Sequence, residues 1–131
     1  MKPSLHLGCC SRILLREITL MYSIIGVLKK PDSWTTEQFR KWWLTEHAEN
    51  AKKLPGLRRY TVHPLAHHLD AVTGKLEGAP SYDGVAFLWF DDEAAARAAF
   101  ASSAGQHDVQ SFGETPVSVL VFGSPEAREM L

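Results

Sequence analysis

The chain has 131 residues, 45% of them apolar and 22% charged, with a formal net charge of −1. That length and composition fit one ordinary globular domain able to bury a core without disulfides. A near-neutral balance with no dominant basic patch argues against nucleic acid as a partner, and no apolar run reaches the ~18 residues of a membrane span.

Residues 1–20 carry no clear hydrophobic period. Cys9 and Cys10 are adjacent. Neighbouring cysteines seldom pair with each other, and no further cysteine completes a metal set. Free thiols in a reducing compartment are therefore expected, which places the protein in the cytoplasm. The segment "LHLGCC" has a faint likeness to a lipoprotein signal, but His6 breaks the apolar pattern, and the charged Arg12, Arg16 and Glu17 come soon after it. The domain is expected to begin at Met21, with residues 1–20 a poorly ordered extension. The alternative is an extra strand drawn from "RILL" and "EITL".

The elements then run in order. Tyr22–Leu28 is β-branched and apolar and reads as strand one. Thr35 and Gln38 match a capping box, with Glu37 in the first turn. Helix one runs from there to about Leu54, and Pro55–Gly56 ends it. Strand two spans Leu57–Leu65, followed by the polar loop "HHLDAVTGKLEGAPS". Strand three is Tyr82–Phe90, and Asp91–Asp92 start an alanine-rich second helix. "AGQHDVQSFGET" reads as a connector with a short helical turn, Val117–Phe122 as strand four, and residues 124–131 as a tail.

The order β-α-β-β-α-β is the split βαβ, or ferredoxin-like, plan of the α+β class. It places two helices on one face of a four-stranded antiparallel sheet. Yet "VAFLWF" and "VSVLVF" are apolar on both faces, and strands of that kind are buried on both faces. A second copy packed sheet on sheet supplies the missing cover, so a homodimer is expected.

Phe39, Trp43, His47, Asn50–Ala51 and Leu54 recur at three- and four-residue spacing and share one helix face. His47 therefore points at the sheet or into a cleft beside it. A histidine there is either a hydrogen-bonded core group or a working one. His63, His67, His68 and Asp70 crowd one loop, but their spacing fits no standard zinc site, so no metal is expected. No dinucleotide, phosphate-loop, nucleophile-elbow or C-x-x-C motif occurs.

The run "FRKWWLTEHAENAKKLPGLRRYTV", followed by "YDGVAFLWFDDEAAARAAFAS", resembles the EthD family. The resemblance spans Met21 to about Phe122 and implies a dimeric α/β barrel domain over residues 21–123, with methylmuconolactone-isomerase-like relatives. It implies His47, Tyr60 and Asp83 as site residues. His67 or His68 stands where relatives bring a loop histidine. Phe87 departs from the acidic or polar residue common at that position. No nicotinamide or flavin fingerprint accompanies the pattern, so no cofactor is expected.

The resulting expectation is a cofactor-free enzyme of isomerase, dehydratase or cyclase type acting on a small apolar oxygenated molecule. His47 would be the acid/base, Asp83 its orienter and Tyr60 a hydrogen-bond donor. Trp43, Phe87 and Trp89 would form apolar walls, with His67 and His68 contributing from the loop. The rival expectations are a non-catalytic ligand-binding accessory protein, and an oxidoreductase or monooxygenase, with haem on His47 as one form of it.

Overall fold

A computed structural model describes residues 21–131. The expectations for residues 1–20 lie outside the described residues. Strand β1 is Tyr22–Lys29. A helical run follows in three parts: α1 (Thr36–Trp42), a π-helical turn (Trp43–His47) and α2 (Ala48–Ala51). Then come β2 (Arg59–Pro64), β3 (Gly84–Phe90), α3 (Glu93–Ala101), α4 (Ser103–Gly113) and β4 (Ser118–Ser124).

The four strands form one sheet in the order β2-β3-β1-β4, every pair antiparallel. This is the ferredoxin-like arrangement, and the class is α+β. Local chemistry explains the element ends. Thr35 and Gln38 form the reciprocal capping box at the start of α1. Gly56, at φ +76°, takes the left-handed conformation in the turn between the helical run and β2, where the Leu57 N–H donates to the Leu54 carbonyl. Asp92 caps α3 by accepting from the Ala95 N–H at 2.7 Å.

One expectation is corrected. The supposed connector after α3 is a full helix, α4, capped by Ser102, which accepts from the Gly105 N–H. Two helices meet there at a tight corner. A Cβ on Gly105 would lie 2.3 Å from the Ala99 carbonyl oxygen, so only glycine fits.

The strand alternation sorts the sheet into two faces. Gly84, Ala86, Leu88 and Phe90 of β3 turn toward the helices and are buried. Phe39, Trp43, Leu54 and Ala99 pack with them in the core. Val85, Phe87 and Trp89 turn to the opposite face. In register beside them on that face, Ile25 pairs with Phe87 and Phe122, and Val27 pairs with Val85 and Leu120. Leu120 is 48% exposed and Phe122 55% exposed. No helix among the described residues is long and apolar enough to cross a membrane.

Candidate active site

His47 closes the π-helical turn and is buried at 7% exposure. A π turn inserts an extra residue per turn, and such turns gather at functional sites because they re-aim side chains. Here the turn brings Trp43 and His47 to one cavity of about 60 Å³ between the helices and the sheet. The cavity exists because its floor is small. Gly26 and Ala86, cross-strand partners on β1 and β3, both line it.

Tyr60 of β2 and Asp108 of α4 complete the polar lining. Trp43 Nε1, His47 Nδ1, Tyr60 OH and Asp108 Oδ1 are all buried, and none has a hydrogen-bond partner among the described residues. A single group of that kind costs about 1–3 kcal/mol. All four residues line one otherwise apolar cavity, which gathers unmet donors and acceptors around a site for something polar. The His47 ring is also held by aromatics. It stacks on Trp42 at 5.3 Å between ring centroids and meets Phe112 at 4.3 Å.

The electrostatics derive from burial. Desolvation pulls the His47 imidazole down to about 4. Desolvation pushes the Tyr60 phenol up to about 12, and the Asp108 charge adds to it. Desolvation also raises the Asp108 carboxyl to about 6, with His107 pulling the other way. His47 Nδ1 lies 3.8 Å from Asp108 Oδ1. That spacing is beyond a direct hydrogen bond. An ion pair would hold the imidazolium up, but burial wins, and the pair is a neutral imidazole beside a carboxyl. At neutral pH the cavity thus presents a free imidazole, a phenol that keeps its proton, and a mostly ionised carboxylate.

The residues expected from the sequence are distributed unevenly. His47, Tyr60 and Trp43 come together. Asp83 does not join them. Its Oδ2 accepts from the Lys30 backbone N–H at 2.8 Å, and its side chain lines a different cavity. The carboxyl facing His47 is Asp108 instead. The neighbouring Gly84 has its own structural reason: a Cβ there would sit 2.4 Å from two ring carbons of Trp43. Phe87 and Trp89 are corrected too. As odd-numbered residues of β3 they stack on each other at 5.6 Å on the far face of the sheet, with the Arg59 guanidinium 4.9 Å from the Trp89 ring. His67 and His68 are exposed in the β2–β3 loop and do not line the cavity. Among the described residues, no three His, Cys, Asp or Glu side chains group closely enough to hold a metal.

Asp108 and Phe112 were not identified from the sequence, because their segment read as a connector. A signal was present: Gly105, Asp108 and Phe112 recur at helical spacing behind a Ser102 cap.

The domain model described as "EthD domain" matches residues 31–113. The chain belongs to the EthD family. A search of curated proteins found no match. Among solved structures, an EthD-family protein from Bacillus halodurans is 20% identical, with a TM-score of 0.57, and the match covers 84% of this chain and 99% of that one. A dimeric protein of unknown function and ferredoxin-like fold from Bacteroides fragilis is 14% identical, with a TM-score of 0.54, covering 84% and 99%. SnoaB, a cofactor-independent oxygenase from Streptomyces nogalater, is 15% identical, with a TM-score of 0.56, covering 85% and 96%. At these identities the likeness is one of fold. The segment matched by the EthD domain model includes His47, Tyr60 and Asp108 alike.

Proposed function

We propose that this EthD-family protein binds a small, largely apolar, oxygenated molecule in the cavity at His47 and moves a proton on it without a cofactor. The convergence of four buried, unpartnered polar groups on one apolar cavity carries this reading. His47, neutral through burial, accepts a proton from an acidic C–H or O–H of the substrate. The imidazolium so formed stands 3.8 Å from Asp108, whose carboxylate stabilises it. Tyr60 and Trp43 offer O–H and N–H to the substrate oxygen on which negative charge develops. Returning the proton to another carbon gives an isomerisation, and passing it from the imidazolium to a β-hydroxyl that leaves as water gives a dehydration. Deprotonation is also a step that can prepare a substrate for oxygen, and the Streptomyces relative is a cofactor-independent oxygenase.

Deuterium uptake tests the reading. A simple butenolide, incubated in D₂O with the protein, should exchange its acidic ring hydrogens faster than the blank. Exchange should be lost in His47→Gln and in Ala86→Leu, which fills the cavity floor. Exchange equal to the blank with wild-type protein, or unchanged in both variants, overturns it. Binding without exchange would favour the accessory-protein reading.

We further propose that the protein is a homodimer joined through the outer sheet face. Ile25, Phe87, Trp89, Leu120 and Phe122 make that face apolar. The Bacteroides fragilis relative of the same fold is described as dimeric. The adjacent cysteines, Cys9 and Cys10, support a reducing, cytoplasmic location.

A further inference from the structure

The second polar feature of the molecule lies at the other end of helix α1, away from His47. A cavity of about 410 Å³ opens between the β1–α1 connection and the β2–β3 loop. That volume suits a small organic ligand. Its charged lining consists of Lys29, Lys30 and Arg40 against Asp32 and Asp83. Among the described residues none of the three cations has a carboxylate within ion-pair distance.

Arg40 decides the sign of the ligand. Its Nη2 donates to the Leu65 carbonyl at 3.2 Å, which pins the guanidinium to the end of β2. Its Nε is buried and has no hydrogen-bond partner among the described residues. An immobilised guanidinium with one N–H spent on Leu65 and Nε shielded still has further N–H donors for an acceptor oxygen. Of the two carboxylates, Asp83 is held by the Lys30 N–H, and Asp32 is exposed. Three cations against two carboxylates leave the lining with one positive charge in excess.

We propose that this cavity binds the oxyanion group of a small molecule, a carboxylate or a phosphate, with Arg40 as the anchoring donor and Lys29 and Lys30 as supporting charges. The site is separate from the His47 cavity, with which it shares no lining residue. It also explains why an arginine, not a lysine, occupies the inner position. Only a planar fork can bond the Leu65 carbonyl and still keep further N–H donors for a ligand.

The test tracks the Arg40 Nε–H cross-peak by ¹⁵N NMR, assigned by its loss in Arg40→Lys. Sodium benzoate and sodium phosphate are titrated separately at constant ionic strength. A saturable shift with benzoate assigns the site to carboxylates, and one with phosphate assigns it to phosphate groups. Lys29→Gln and Lys30→Gln, both near the surface, should each weaken binding about threefold. His47→Gln should leave it unchanged, so a failed acid/base reading does not decide this one. A peak that moves with neither anion, that moves equally with sodium chloride, or that titrates alike in the Lys29→Gln/Lys30→Gln double variant overturns the proposal.

Discussion

Replacing one member of the His47–Asp108 pair at a time should expose two opposed pH dependences of stability. His47 titrates at about 4 in the fold against 6.5 unfolded. Its contribution is fully present above 6.5 and is lost as the pH falls toward 4. Asp108 titrates at about 6 in the fold against 3.8 unfolded. Its contribution is fully present below 3.8 and is lost as the pH rises through 6. Each pKa unit corresponds to about 1.36 kcal/mol. Between pH 7 and pH 5, His47 should therefore remove about 2 kcal/mol of stability and Asp108 should add about 1 kcal/mol. In the wild type the two partly cancel, leaving a net loss of about 1 kcal/mol. Urea denaturation at both pH values reads the difference. On going from pH 7 to pH 5, His47→Gln should gain about 2 kcal/mol on wild type, and Asp108→Asn should lose about 1 kcal/mol against it. If both variants simply track wild type across this range, the two groups are not buried together and the account of the cavity fails.

Three further outcomes are expected. Tyr60→Phe removes a buried, unpartnered hydroxyl, so urea denaturation should show stability unchanged or raised by up to about 1 kcal/mol while butenolide exchange falls. Gly84→Ala forces a methyl group against the Trp43 ring and should cost about 1–3 kcal/mol by the same assay. Phe122→Asp, on the outer face of β4, should convert a dimer into a monomer by light scattering without loss of helical circular dichroism; a wild type that is already monomeric contradicts the sheet-packing argument.

The fold was legible because its signals are local and repeated. The capping box at Thr35 and Gln38, the Pro55–Gly56 stop and the apolar runs of β3 and β4 each fix an element by chemistry within a few residues. Helix α4 was not, because Gly105 and a polar composition mask its period, and glycine is there for the corner with α3. Of the site, the helix face bearing Trp43 and His47 could be read from spacing alone. The carboxyl partner could not. Asp83 looked suitable because it begins a strand beside Tyr60, yet a sheet has two ends, and Asp83 lies at the one away from His47, bonded to Lys30. Asp108 reaches the cavity only through the packing of α4 on α2, a long-range contact no local pattern encodes. Phe87 and Trp89 fail on parity: one residue along a strand exchanges the helix face for the outer face.

The most direct test of the central claim, that the cavity at His47 is a ligand site holding a neutral imidazole, is an NMR titration of the ¹⁵N-labelled protein with phenol at pH 7. The account predicts that the His47 ring nitrogens report a neutral imidazole before addition, and that they and the Trp43 indole N–H shift together and saturably as phenol binds. A His47 ring that is protonated at pH 7, or shifts confined to the surface histidines His63, His67, His68 and His107, would contradict it.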